Sequence, residues 1–208
     1  MQRASTAGRG PLWPSASEEH VVGKITKTMN TGSYSSRKKM RFTDYDYKSQ
    51  GFYFITMVTQ NHICLFGCID NDEMVLNESG RMIIQQYHKI EDVFPQVRCL
   101  DCIVMPNHFH CILYLDRENE SSIPKIMDYF KAKTSDEYIK GVKEKGWIRF
   151  DGRLWQRNYW DDIIWNDRQL EYVQNYIALN PSRWNKDNIN PNHNESTDHI
   201  LKQFKELG

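Results

Sequence analysis

Met105-Pro106-Asn107-His108-Phe109-His110 joins two apolar runs, and its reading decides the fold. Residues Cys99 to Met105 read as a strand, Pro106 and Asn107 as a turn, and His108 to Leu115 as the antiparallel return strand. Side chains alternate faces along a strand, so His108 and His110 point the same way, while Phe109 turns to the opposite face to pack. Two imidazoles side by side on a rigid sheet make half of a divalent-metal site. A surface strand also carries such a pair with no chemistry attached, so the pair alone leaves both readings open.

Outward from this hairpin, Phe52 to Thr59 is aromatic and β-branched and reads as the first strand. Ile63 to Ile69 and Met74 to Leu76 read as a second hairpin around Asp70-Asn71-Asp72. Asn77 is a candidate N-cap for a helix that spaces Met82, Ile83, Tyr87 and Ile90 and ends near Phe94, ahead of Pro95. After a charged loop, Pro124 opens an amphipathic helix carrying Ile126, Met127, Phe130, Thr134 and Tyr138, to be ended by Gly141 or Gly146. A last helix begins near Asp167, and Pro181 drives Asn180 out of the helical region. Residues 182–195 read as a polar loop and Asp198 to Leu207 as a short helix. No internal repeat is present.

The chain has 208 residues, 39% hydrophobic and 12% aromatic, enough for one substantial core with tails. Lysine plus arginine and aspartate plus glutamate number 27 each, so net charge neither proposes nor excludes a nucleic-acid partner. No apolar run approaches the roughly 18 residues a bilayer crossing needs. Arg3, Arg9, Glu18 and Glu19 interrupt any leader pattern. The sequence thus reads as a cytoplasmic protein with no membrane partner. Cys64, Cys68, Cys99 and Cys102 have spacings that invite structural zinc, but their context reads as free thiols behaving like small hydrophobes.

Basic residues cluster in two places. Arg37, Lys38, Lys39 and Arg41 precede the first strand. Lys131 and Lys133 lie on the long helix, followed by Arg149, Arg153 and Arg157 among Trp147, Phe150, Trp155, Tyr159 and Trp160. Cations neutralise phosphate and rings stack on bases, so this interleaving suits nucleic acid as well as it suits a solvated helix leading into a core strand. On the last helix, Tyr172, Tyr176 and Asn180 are four apart and share a face. A tyrosine hydroxyl serves as a nucleophile where nearby donors stabilise the charge that develops, and an amide oxygen one turn on can join two imidazoles around a hard cation.

Taken in order, the YFIT-type strand with Thr59-Gln60-Asn61, the LNESG helix entry, MPNHFH, the FKAKT helix, WQRNYWDDII and the YIALNP helix end resemble the HUH single-tyrosine transposases. Within them the chain is most similar to the REP-associated tyrosine transposases, relatives of insertion-sequence-200-type enzymes. The resemblance covers roughly residues 37 to 183. It implies an α+β fold, a ferredoxin-like or RRM-like antiparallel sheet with helices packed on one face. It divides the chain into a flexible extension over 1–36, a catalytic domain over 37–183 and a tail over 184–208. His108 and His110 match the family's paired histidines, which bind catalytic Mg²⁺ or Mn²⁺, and Asn180 falls where an amide ligand is expected.

Tyr176 matches the family's nucleophile, with Tyr172 one turn away as a rival. Lys131, Trp155, Gln156 and Arg157 match positions of DNA contact or site support, and Arg37, Lys38, Lys39, Arg41 and Lys133 join them as candidate DNA-binding residues. The implied activity is cleavage and rejoining of single-stranded DNA near imperfect hairpins through a 5′-phosphotyrosine, by a monomer or by a homodimer that exchanges the tyrosine helix. The alternative is a domesticated hairpin-binding protein that no longer cleaves.

Overall fold

The computed structural model describes residues 45–116 and 121–192. The extension over 1–36, the basic residues Arg37, Lys38, Lys39 and Arg41, and the helix expected over 198–207 lie outside the described residues.

Strand β1 (Gly51–Val58) is the sheet's hub. It pairs antiparallel on one side with β5 (His108–Leu115) and on the other with β6 (Trp160–Ile164), while β4 (Val97–Val104) pairs antiparallel with the outer side of β5. The sheet order is β4-β5-β1-β6. Between β1 and β4 the chain makes a two-stranded ribbon, β2 (Gly67–Asp70) and β3 (Glu73–Leu76), then helix α1 (Glu78–His88) and the short α2 (Ile90–Val93). Between β5 and β6 it crosses through α3 (Ile123–Lys145). Apart from the small ribbon and α2, this is the βαββαβ path of a ferredoxin-like α+β sheet, and α4 (Asp167–Ala178) follows as an additional helix.

Local chemistry accounts for the boundaries. Asn77 caps α1 by accepting from the Gly80 N–H at 2.9 Å. Asn71 and Asp72 take the positive φ angles of the ribbon turn, 48° and 61°, which these side chains tolerate better than most. Gly146, at φ 70°, closes α3 in the left-handed conformation, which settles the choice between Gly141 and Gly146.

Two expectations need correction. Ile63 to Phe66 is not strand: the Leu65 and Phe66 N–H groups both donate to the Pro106 carbonyl, at 2.8 and 3.0 Å, anchoring this segment to the histidine hairpin. Asn180 keeps helical dihedrals of −60° and −42° ahead of Pro181. Its N–H still donates to the Ile177 carbonyl, and Pro181 begins a separate 3₁₀ turn (Pro181–Lys186) where a missing N–H costs nothing. Of the expected tail, residues 184–190 pack on the site described below.

Strand β5 is buried on both faces. On one, Phe109, Cys111 and Leu113 join Tyr53, Ile55 and Met57 of β1 beneath Ile83 and Tyr87 of α1 and Ile126 and Phe130 of α3. The expectation of helices on one face holds for these two. The opposite face carries Ile112, Phe54 and Ile164, and α4 covers it with Val173 and Ile177. That second layer brings the tyrosine helix over the histidines. Among the described residues no helix is long and apolar enough to cross a membrane.

Candidate active site

His108 and His110 sit at the start of β5 with 0% and 2% of their surface exposed. Their ring centroids lie 4.7 Å apart. Each ring is held from behind. The His108 Nδ1–H donates to Asn107 Oδ1 at 2.9 Å. The direction of that bond follows from the other end of the amide, since Asn107 Nδ2 donates to the carbonyls of His62 and Ile189 at 3.0 and 2.8 Å. His108 Nε2 is therefore left with its lone pair pointing into the site. His110 Nδ1 lies 2.8 Å from Thr56 Oγ1, and its ring stacks on Phe54, leaving Nε2 on the same side. Supports of this kind behind a metal-binding imidazole orient the ring and choose its tautomer.

Helix α4 and the residues just past its end supply the facing groups. Asn180 Oδ1 lies 3.3 Å from His108 Nε2, and Asn180 is itself 2% exposed. The Tyr176 hydroxyl lies 3.4 Å from His110 Nε2, with the two rings edge to face. The 3₁₀ turn that follows lays Trp184 against His108 at 5.9 Å between ring centroids. Asp187 places Oδ2 3.7 Å from His108 Nε2. Thus the structure brings together His108, His110, Tyr176 and Asn180, and adds Asn107, Thr56, Trp184 and Asp187, which sequence reasoning had not assigned to the site.

Burial pushes the imidazoles toward neutrality. His108 is lowered to about 4 by burial, against the opposing pull of Asp187 and Asn180, and His110 is held well below the usual range by burial and then by His108. The Tyr176 hydroxyl is pushed up, chiefly by burial and next by the Asp187 charge, with Asn180 and Arg183 acting in the opposite direction. Neutral imidazoles are the form that binds a cation, whereas the tyrosine needs help to lose its proton.

These shifts predict a pH dependence for the metal-free protein. With folded values below the unfolded ones, the unfolded chain binds more protons as pH falls through about 6.5, so stability is full above that pH and declines toward pH 4. His108 alone accounts for a loss on the order of 3 kcal/mol across this window. Denaturant titration in EDTA at pH 7.5 and pH 4 measures it, and the pH slope shrinks in the His108→Gln, His110→Gln double variant.

The remaining candidates divide. Trp155 is a core residue, 3% exposed, packed on Phe66 with its indole N–H donating to Thr134 Oγ1 at 2.8 Å, so it presents no face for stacking. Lys131 Nζ donates to the carbonyls of Gln156 and Arg157, both at 3.0 Å, and so ties down the loop that runs past the end of β1. Arg157 and Lys133 are exposed. Trp160, 42% exposed, pairs with Thr56 across β1–β6, one strand over from His110, and so offers an aromatic surface beside the site.

Among the described residues, no three His, Cys, Asp or Glu side chains form a metal-binding group. The convergent set here mixes imidazole with amide. It nevertheless fits a cation: His108 Nε2 and Asn180 Oδ1 face each other with no proton between them. Their 3.3 Å separation is close to the roughly 3.0 Å between neighbouring ligand atoms around a small octahedral ion.

A Haemophilus influenzae (strain Rd) protein of unassigned function is 32% identical over 178 residues, covering 79% of this chain and 98% of its own. A second protein of that organism, provisionally named a REP-associated tyrosine transposase, is 25% identical over 139 residues, covering 65% of this chain and 73% of its own. Among solved structures, a REP-associated tyrosine transposase bound to a REP hairpin aligns at 18% identity with a TM-score of 0.49, over 69% of this chain and 73% of that one. The model of the IS200-like transposases matches residues 69–180, over half of the chain, and spans both histidines, Tyr176 and Asn180. The chain belongs to the IS200-like transposase family.

Proposed function

We propose that this chain cleaves and rejoins single-stranded DNA near imperfect hairpins, with Tyr176 as nucleophile and a divalent cation, Mg²⁺ or Mn²⁺, held by His108, His110 and Asn180. The observation that carries this reading is the approach of the Tyr176 hydroxyl to within 3.4 Å of His110 Nε2, in one chain and beside the His108–Asn180 pair. These residues all come from one chain, which supports a monomer as the working unit. The likeness to a REP-associated relative and the exposed Arg157, Lys133 and Trp160 support a hairpin-bearing strand as partner.

Tyr176 Oη attacks the scissile phosphorus, forming the O–P bond of a 5′-phosphotyrosine as the bond to the 3′-oxygen breaks. The leaving oxygen takes up a proton and departs as a free 3′-hydroxyl, and the reverse attack rejoins strands with no external energy source. The phenol proton must first leave Oη, which burial and the Asp187 charge oppose. His108 and His110 turn Nε2 toward the site on rings braced by Asn107 and Thr56, and the end of α4 places Tyr176 and Asn180 one turn apart. When bound, the cation would polarise a non-bridging phosphate oxygen and favour the phenolate.

Incubating the full chain with 5′- or 3′-labelled single-stranded hairpin DNA and Mn²⁺, followed by denaturing electrophoresis, tests the activity. A covalent adduct carrying the fragment 3′ to the cut is expected. A gel shift under native conditions with no adduct would instead support the hairpin-binding protein that does not cleave.

A further inference from the structure

We propose that Asp187 is the anionic member of the cation site, supplying a negative charge that His108, His110 and Asn180 lack. The inference rests on the proposed reading of those three residues as cation ligands. Two neutral imidazoles and an amide give a divalent ion oxygen and nitrogen donors but no compensating charge, and both histidines are almost wholly buried. Holding a doubly charged ion in such surroundings costs heavily in desolvation unless an anion stands nearby. Asp187 Oδ2 stands 3.7 Å from His108 Nε2, the atom that Asn180 Oδ1 approaches at 3.3 Å.

Asn107 Oδ1 accepts the His108 Nδ1 proton, which leaves Nε2 turned to the site, where a carboxylate oxygen, an amide oxygen and this imidazole nitrogen all face one small volume. Three acceptors turned toward one another repel unless a cation lies among them. Among the described residues, no lysine or arginine is paired with Asp187 in its place. Its side chain is 14% exposed.

The carboxylate is also held by construction. Asp187 Oδ1 accepts from the Ile189 N–H at 2.9 Å, which leaves Oδ2 turned to the histidine. The Ile189 carbonyl in turn accepts from Asn107 Nδ2, so the residue that orients His108 also docks the segment bearing Asp187. Buried Asn190 closes the loop by donating from Nδ2 to the Trp184 carbonyl at 3.0 Å. Asp187 sits at the rim of the set and acts on the ion through its charge.

Mn²⁺ titration of the full chain without DNA, followed by electron paramagnetic resonance of free Mn²⁺, provides the test. Wild type is expected to bind one ion, His110→Ala to lose it, and Asp187→Asn to bind at least about tenfold more weakly, with Asp187→Glu recovering part of the loss. Asparagine keeps the Oδ1 acceptor for Ile189, so hydrogen exchange across residues 181–192 in EDTA should be unchanged in Asp187→Asn. Equal affinity in wild type and Asp187→Asn, with binding abolished in His110→Ala, would overturn the role of Asp187 and leave the proposed function standing. Weaker binding together with loosened exchange over 181–192 would also overturn it, making Asp187 a docking residue. No binding by wild type would overturn the cation reading itself.

Discussion

Tyr176→Phe is expected to abolish covalent adducts on hairpin-bearing single-stranded DNA, while Tyr172→Phe retains them. The change removes a single oxygen. Phenylalanine keeps the ring that packs edge to face on Phe54 and His110, so fold and cation site should survive and the loss can be assigned to the nucleophile. Removing a nucleophile that makes a covalent intermediate lowers the rate by several powers of ten, and an adduct cannot form at all without the oxygen that bonds to phosphorus. Tyr172 lies one turn earlier on the same helix and is half-buried at the rim of the small core formed by Phe54, Ile112, Ile164, Val173 and Ile177. The check is an adduct assay on both variants, with native binding to the same DNA as the control for folding. Adducts from Tyr176→Phe at the wild-type level would remove this tyrosine from the chemistry.

His110→Ala is expected to lower cleavage by more than about 10²-fold at any Mn²⁺ concentration that wild type needs, a loss above the range seen when only the groups behind a ligand are changed. Nε2 of His110 lies 3.4 Å from the Tyr176 hydroxyl, so its loss affects both the cation and a neighbour of the nucleophile. The variant also leaves Thr56 Oγ1 without its ring partner inside the sheet, and a modest destabilisation should accompany the change. Cleavage rates measured against Mn²⁺ concentration separate the two effects: a folding defect lowers the active fraction, whereas a ligand defect moves the metal dependence. Wild-type rates and an unchanged metal dependence would show that His110 serves packing alone.

Much of this arrangement was legible along the chain because it follows from local periods. His108 and His110 share a face because strands repeat every two residues, and Tyr176 and Asn180 share one because helices repeat every 3.6. The Asn77 cap and the turn at Pro106-Asn107 were equally local. What escaped depends on contacts between distant segments. Strand β6 carries Asp161 and Asp162, which break the apolar alternation that marks a strand, yet Asp161 is buried at 7% exposure. Trp155 looked like a stacking residue from its basic neighbours, although its hydrogen bond to Thr134 and its packing on Phe66 put it in the core. The segment from Trp184 to Asn190 reads as polar loop because it has no period, and only the bonds from Asn107 to Ile189 and from Asn190 to Trp184 reveal it as a wall of the site. The position of α4 was hidden as well, since its stripe of Val173 and Ile177 shows that it packs without showing on which face.

Mass-spectrometric mapping of the covalent adduct addresses the central claim most directly. Wild-type protein is trapped on a single-stranded hairpin substrate with Mn²⁺, digested with protease and nuclease, and the peptide retaining a nucleotide is sequenced by fragmentation. The account predicts a 5′-phosphonucleotide on Tyr176. A nucleotide on Tyr172 or on any other residue, or no adduct from protein that binds both Mn²⁺ and the hairpin, would contradict it.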